Sequence, residues 1–156
     1  MRVLAGVRAI AVAVLTAGLL SGCAGSGVTR ATIATDIGPA PTPIDGLIAK
    51  YAALDGVPES LIRRIIVRES GYNPRAHMGP YWGLMQIRYD TAQSMGYRGP
   101  ATGLLDAETN LRVGVRYLRG AWLLSGGDER KAVGLYAGGY YYVARARGML
   151  AQVGLE

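Results

Sequence analysis

Apolar residues recur at helical spacing from Ile44 onward, and this pattern predicts a domain built mostly of α-helices. The first predicted helix covers residues 44–54. The second starts with Pro58, since proline is tolerated in the first turn of a helix, and it ends at Gly71. The apolar stripe of this second helix is formed by Leu61, Ile62, Ile65 and Ile66.

One irregular segment separates the second predicted helix from the helices that come after it. Residues 72–86 are interrupted by glycine and proline, which predicts an ordered loop or short strands. Further helices are predicted at 90–95, from an N-cap at Asp106 to Gly126, from an N-cap at Asp128 through Tyr136, and from Tyr140 towards Leu150. Strands do not alternate with helices along the chain, so the predicted fold class is mostly α.

The start of the chain has the layout of a secretory signal. Two arginines precede the apolar run 9–20, which is too short to remain as a membrane-spanning helix. The segment 20–23 (LSGC) resembles the bacterial lipoprotein box, in which the cysteine becomes the first residue and carries lipid. We therefore predict a lipoprotein signal peptide at 1–22 and lipidation of Cys23.

Residues 23–43 join this predicted anchor to the folded domain. They are small and polar, include three prolines and have too few apolar side chains to form a core, so we predict a flexible linker. The domain then occupies 44–156. Lipid on Cys23 would hold the protein stably at a membrane, and Ala24 resembles the outer-membrane sorting pattern. We expect a monomer on the periplasmic face of the cell envelope, in the outer membrane where the host has one.

Composition narrows the choice of partners and cofactors. One cysteine and one histidine exclude an internal disulfide and a His/Cys metal site, so we expect no metal and no cofactor. The chain carries 17 Lys and Arg against 11 Asp and Glu, and removal of the signal would take away two of the arginines. This mild positive charge suits work near anionic wall polymer or membrane. Without a basic run, it does not indicate nucleic acid.

The helical stripe that begins at Leu61 leads directly to a carboxyl group, that of Glu69. At the C-terminal end of an apolar helix face, both desolvation and the helix dipole disfavour ionisation, so the pKa of Glu69 is expected to rise. Such a carboxyl can protonate a leaving oxygen, as glycosidase acids do. The alternative is a solvated helix end where Arg68 pairs with Glu69, and spacing alone leaves both interpretations open.

A set of short motifs downstream favours the first interpretation. The motifs are Glu69-Ser70 with Asn73-Pro74 and Ala76, Gly83-Leu84-Met85-Gln86-Ile87, Asn110-Leu111 with Gly114 and Tyr117-Leu118, and Tyr136 with Gly139. They occur in the order typical of lysozyme-like lytic transglycosylases, and over essentially the whole domain the chain resembles their soluble lytic transglycosylase (SLT) domain family.

The resemblance implies a lysozyme-like domain with a cleft between helices that binds peptidoglycan glycan strands. It implies that Glu69 is the catalytic acid and then base, that Ser70 and Gln86 line the sugar site, that Met85 abuts the substrate and that Tyr136 faces Glu69. Each of the last four also has a structural alternative, as a helix-end hydrogen bonder, a loop bridge, a core filler or a packed tyrosine. We interpret Asn110, Gly114 and Tyr117 as packing residues.

The chain departs from the family pattern in two places. Ala137 stands where the family commonly has asparagine, and the loop 77–82 is one residue shorter than usual and has no serine. In that loop, Tyr81 and Trp82 either offer flat faces to sugar rings or pack inside.

A second carboxyl to assist Glu69 is hard to identify, since the other acids are explained by helix starts, turns or termini. Asp90 is the exception, although it also suits an N-cap. Hydrolytic glycosidases usually need two carboxyls, whereas the family's 1,6-anhydro reaction needs one. Lytic cleavage of the MurNAc-GlcNAc bond is therefore the leading hypothesis. The alternatives are a hydrolytic muramidase and a lipoprotein that only binds glycan or protein.

Overall fold

The computed structural model describes residues 42–155. The predicted signal peptide, Cys23 and most of the linker lie outside these residues, so they stay predictions. Six α-helices and three two-residue strands make up the described part: α1 Pro43–Asp55, α2 Glu59–Ser70, β1 His77–Met78, β2 Tyr81–Trp82, β3 Ile87–Arg88, α3 Tyr89–Ser94, α4 Ala107–Ser125, α5 Glu129–Gly138 and α6 Tyr141–Ala146. The prediction of a mostly α domain is confirmed.

Local capping explains where the helices begin. The Thr42 side chain and Asp45 form a reciprocal capping box at the start of α1, which satisfies free N–H groups of the first turn. Asp106 accepts a hydrogen bond from the Thr109 N–H, and Asp128 caps α5 in the same way, as predicted. Pro58 differs slightly from its prediction, because it is the N-cap of α2 rather than a first-turn residue.

Helix α4 lies at the centre of the domain and packs against α1 and α5. The predicted stripe of α2 is buried in the same core, where Leu61, Ile62, Ile65 and Ile66 are inaccessible to solvent. A smaller apolar cluster forms beneath β3 and α3, around Ile87, Met95 and Tyr97. Helices α2 and α5 both pack on this core and contact each other, and the three strands form an antiparallel sheet in the order β1-β2-β3.

The structure differs from the sequence prediction at the C-terminal end and in one connection. Helix α6 ends at Ala146 instead of continuing towards Leu150, since Gly148 adopts the left-handed backbone conformation and turns follow it. An unpredicted 3-10 helix, Ala101–Leu105, precedes α4. Within residues 42–155, every helix is too short or too polar to cross a membrane.

Candidate active site

The C-terminal end of α2 places Glu69 at the edge of the core. Gly71 ends the helix in the left-handed conformation, with its N–H bonded to Ile66 and Val67 carbonyls. The Glu69 side chain is 23% exposed, and its Oε1 lies 3.5 Å from Arg68 Nε. Burial raises the pKa of Glu69 above its usual value, and the positive charge of Arg68 opposes this rise. Both sequence interpretations are therefore partly right, because the carboxyl is half-buried and also faces a cation.

The loop after the β-hairpin holds Gln86 beside Glu69. Gln86 has a φ of 46°, a left-handed conformation that is uncommon outside glycine and marks a strained position. Its Nε2 donates hydrogen bonds to the carbonyls of Ala76, at 3.1 Å, and Gly83, at 2.8 Å. With both amide N–H groups directed at the backbone, the amide oxygen is the part of this side chain left to accept a hydrogen bond from a ligand.

Helix α5 brings Tyr136 to the opposite side of the same cleft. Its hydroxyl donates a hydrogen bond to the Met85 carbonyl at 2.8 Å, and its ring meets the edge of Tyr117. Burial, together with the nearby charge of Glu69, holds the pKa of Tyr136 well above its usual value, so the phenol stays neutral. Tyr136 therefore serves both as a brace for the loop and as part of the cleft wall.

Glu69, Gln86 and Tyr136 meet in a cleft of about 400 Å³ that is also lined by Arg68, Met78, Tyr81 and Ala137. A second cavity, of about 240 Å³, shares Tyr81, Gln86, Tyr136 and Ala137 with the first and extends it towards Thr91 and Tyr117. The two cavities together form an elongated groove. Among the described residues that line the first cleft, Glu69 is the only acid.

Two predicted substrate contacts have other positions in the structure. Met85 is fully buried and packs on Gly114 in α4, so its side chain does not abut a ligand in the cleft, and we correct its role to packing. Ser70 donates a hydrogen bond from its hydroxyl to the Leu84 carbonyl at 2.8 Å, which ties the end of α2 to the loop. Ser70 is thus a support for the site and is not among the residues that line the cleft.

The aromatic residues of the hairpin divide between the two alternatives left open by the sequence. Trp82 stacks on the His77 ring at 3.7 Å, so one of its faces is already covered. Tyr81 is 41% exposed and lines both cavities, where its ring is available to a sugar. Tyr117, interpreted as packing, does pack on Tyr136 and Tyr140 but also lines the second cavity. Its position at helical spacing within α4 indicated packing and gave no sign that it also lines a cavity.

Asp90, the one acid without an obvious structural role, is held by its neighbours. Both of its oxygens accept hydrogen bonds from Arg88, at 3.0 and 2.7 Å, and one also accepts from the Thr91 N–H. These contacts lower the pKa of Asp90. It lies in the first turn of α3, where Arg88 and not Asp90 is the N-cap, and it does not line the cleft with Glu69.

Gly114 packs closely against Met85 in the loop that carries Gln86, and this contact leads to a prediction about stability. A Cβ at position 114 would lie 2.6 Å from Met85 Sδ and 3.1 Å from Met85 Cβ. We expect Gly114→Ala to lower the free energy of unfolding by about 1–3 kcal/mol through overpacking, measured by urea denaturation. Gly134→Ala on α5 is the control, because nothing lies within 4 Å of its added methyl group. A Gly114→Ala variant as stable as wild type would contradict the tight contact.

Comparisons with known proteins identify the family of the chain. A model of the transglycosylase SLT domain family matches residues 46–151. Peptidoglycan transglycosylase gp16 of Escherichia phage T7 is 35% identical over 101 residues, which are 62% of this chain and 8% of the phage protein. The chain thus spans less than a tenth of that relative's length. No solved structure matches the chain significantly. The family resemblance seen in the sequence is confirmed, and the chain belongs to the transglycosylase SLT domain family.

Proposed function

We propose that this protein is a lytic transglycosylase that cleaves the β-1,4 bond between MurNAc and GlcNAc in peptidoglycan and leaves 1,6-anhydromuramic acid ends. The observation that carries this proposal is a single half-buried carboxyl, Glu69, in a cleft whose described lining has no other acid. Its raised pKa suits a group that must hold a proton before it reacts. Family membership and the name of the phage relative support peptidoglycan as the substrate.

In the first step, Glu69 donates its proton to the oxygen that links the two sugars. The bond between this oxygen and C1 of the muramic sugar breaks, and positive charge develops at C1 and the ring oxygen. The leaving sugar departs with a neutral hydroxyl group. Glu69 becomes a carboxylate, and Arg68, 3.5 Å away, stabilises the negative charge that has formed.

In the second step, the same carboxylate removes the proton from the C6 hydroxyl of the muramic sugar. The C6 oxygen attacks C1 and closes the anhydro ring, and Glu69 regains its proton. No water molecule enters the product. This route suits the cleft, because Asp90, the remaining candidate for a second carboxyl, is paired with Arg88 and does not line it. The Gln86 amide oxygen is available to orient a sugar hydroxyl group, and Tyr136, whose own hydroxyl is bonded to the Met85 carbonyl, forms the cleft wall beside it.

The chemical form of the released ends tests this proposal. Purified peptidoglycan is digested in water enriched in ¹⁸O, and the products are analysed by mass spectrometry. We expect anhydromuramic ends with no ¹⁸O incorporated, since the nucleophile comes from the sugar itself. Predominantly hydrated, labelled reducing ends would assign the protein to the hydrolytic muramidases. Binding to peptidoglycan without any release of sugars would assign it to the non-catalytic alternative.

The cellular location of this activity is a second part of the proposal. We propose that the signal peptide at 1–22 is removed and that lipid on Cys23 anchors the domain at the periplasmic face of the envelope, supported by the LSGC segment at 20–23. Residues 23–43 would then let the domain reach nearby glycan strands. Cys23→Ser should move the protein from the membrane fraction to the soluble fraction and abolish incorporation of labelled fatty acid. Unchanged fractionation would exclude the lipid anchor.

A further inference from the structure

Arg68 is held by fewer contacts than several other arginines of the domain. Within residues 42–155, its guanidinium makes one ion pair, with Nε 3.5 Å from Glu69 Oε1, and no hydrogen bond. Arg63, five residues earlier on α2, contacts Asp45 and Glu59, and Arg88 holds both oxygens of Asp90. The Arg68 side chain is 52% exposed and lines the cleft that contains Glu69. It is therefore positioned to bind a ligand.

The geometry of this pair leaves the recognition face of the guanidinium free. The approach to Glu69 is made through Nε, so the two terminal nitrogens remain available. These groups form the fork that binds a carboxylate through two parallel hydrogen bonds. Among the described residues that line the cleft, Arg68 is the only cation and Glu69 the only anion. An acidic group on a ligand in this cleft is attracted to Arg68 and repelled by ionised Glu69.

We infer that Arg68 is a specificity-determining residue that binds a carboxylate of the stem peptide carried by the glycan strand. This inference rests on the proposed function, because it concerns the substrate of the same cleft. Its substrate class is a strand that still carries acidic peptides, in preference to a bare glycan. Stem peptides are attached to the muramic sugar and contain free carboxylates, so a stem-bearing strand brings acidic groups to the cleft that Arg68 and Glu69 line.

Binding of the stem would also change the state of Glu69. The groups that face Glu69 are Arg68 from α2, Tyr136 from α5 and Tyr81 from β2, and of these only Arg68 is charged. In the free protein, the charge of Arg68 lowers the pKa of Glu69 and burial raises it. A substrate carboxylate that neutralises Arg68 removes the lowering effect. Glu69 then keeps its proton to a higher pH when a stem-bearing strand is bound.

Kinetics on three matched substrates test the inference. The substrates are strands with intact stems, the same strands after amidase has removed the stems, and strands whose stem carboxylates are converted to amides. We expect Arg68→Ala to raise KM about threefold to tenfold on intact strands, the loss of one partly exposed charge-assisted contact, and to leave KM on the other two unchanged. Arg68→Lys, which keeps the charge without the fork, should fall between Arg68→Ala and wild type.

The matched control is Arg64→Ala. Arg64 lies one turn earlier on α2 and is equally exposed, at 51%, but it pairs with Glu129 and does not line the cleft. Its removal lowers the net charge by the same amount, so it separates contact in the cleft from a general electrostatic effect. We expect its KM to match wild type on all three substrates.

The pH profiles provide a readout that a purely structural role would not change. For wild type on intact strands, kcat should decline at a higher pH than kcat/KM, because kcat reports the substrate complex and kcat/KM the free protein. This separation should be smaller on stripped strands and in Arg68→Ala. In that variant, the kcat/KM profile itself should move to higher pH, since the charge that lowers the pKa of Glu69 is gone.

Two sets of results would overturn the inference while the proposed function stands. One is an equal KM change on all three substrates in Arg68→Ala, with anhydro ends still released. The other is an unchanged KM, which would make Arg68 only an electrostatic partner of Glu69. Failure of wild type to release anhydro ends from any of the three substrates would instead overturn the proposed function, and this inference with it.

Discussion

Glu69→Gln is expected to lower the rate of glycan cleavage about a thousandfold, which is within the range that a positioned acid and base contributes. Glutamine keeps the shape of the side chain but can neither donate the proton to the leaving oxygen nor remove one from the C6 hydroxyl. Because Glu69 performs both steps in the proposed mechanism, loss of its carboxyl should stop the reaction before any intermediate accumulates. Release of soluble sugars from purified peptidoglycan measures the effect.

The matched control is Glu59→Gln at the other end of α2. Glu59 lies in the first turn, pairs with Arg63 and does not line the cleft. The Glu59→Gln variant should therefore cleave glycan at the wild-type rate. A stability measurement shows whether a loss of activity in Glu69→Gln comes from loss of the carboxyl or from unfolding. Burial raises the pKa of Glu69 in the folded state. The free energy of unfolding therefore falls as the pH rises from the pKa of this carboxyl in the unfolded chain to its higher pKa in the folded protein. Glu69→Gln should therefore unfold near neutral pH at the same urea concentration as wild type or a higher one. A fully active variant would exclude Glu69 from the mechanism.

Asn110→Ala is expected to have the largest effect on stability, with a loss of about 3–5 kcal/mol of unfolding free energy. The Asn110 side chain is fully buried and makes three hydrogen bonds to backbone: it accepts from the Met85 N–H and donates to the carbonyls of Trp82 and Leu104. Alanine would leave these three backbone groups unsatisfied away from water. It would also leave space next to Gly83, where an added Cβ would overlap the asparagine amide.

Urea denaturation of Asn110→Ala and of a control, Asn73→Ala, measures this effect. Asn73 also uses its side chain to hold a loop, through a hydrogen bond from the Arg75 N–H, but this contact is exposed to water. We expect Asn73→Ala to change the unfolding free energy by less than about 1 kcal/mol. Equal stability losses in the two variants would show that burial of the three contacts of Asn110 is not what matters.

The helices and the position of the Glu69 carboxyl at a helix end could be predicted from sequence because the signals are local. Capping residues, apolar stripes and terminating glycines act within one or two turns, and they placed Glu69 at the end of α2. The burial of Met85 could not be predicted in this way. It depends on Gly114, which lies in α4, far along the chain from the loop that carries Met85, and leaves room for the methionine side chain only after the chain has folded.

The position of Gln86 shows the same limit. Its left-handed backbone is disfavoured locally, and it is maintained by contacts that come from distant segments of the chain. One of these is the hydrogen bond from Tyr136, 51 residues away, to the neighbouring Met85 carbonyl. Asp90 is a different case, because its partner Arg88 is only two residues away and the signal for this ion pair is therefore local.

The backbone of Met85 is held at both of its polar groups, by Asn110 of α4 at the N–H and by Tyr136 of α5 at the carbonyl. The floor of the groove is therefore fixed to α4 and α5, the pair of helices that pack most extensively against each other. The opposite rim is the tip of the hairpin, with exposed Met78 and Tyr81, and Asn110 of α4 holds this hairpin only at its base, through the Trp82 carbonyl. In the proposed reaction, the rim would consequently move to admit glycan strands of different thickness. The distance from the reacting bond to the floor would stay constant.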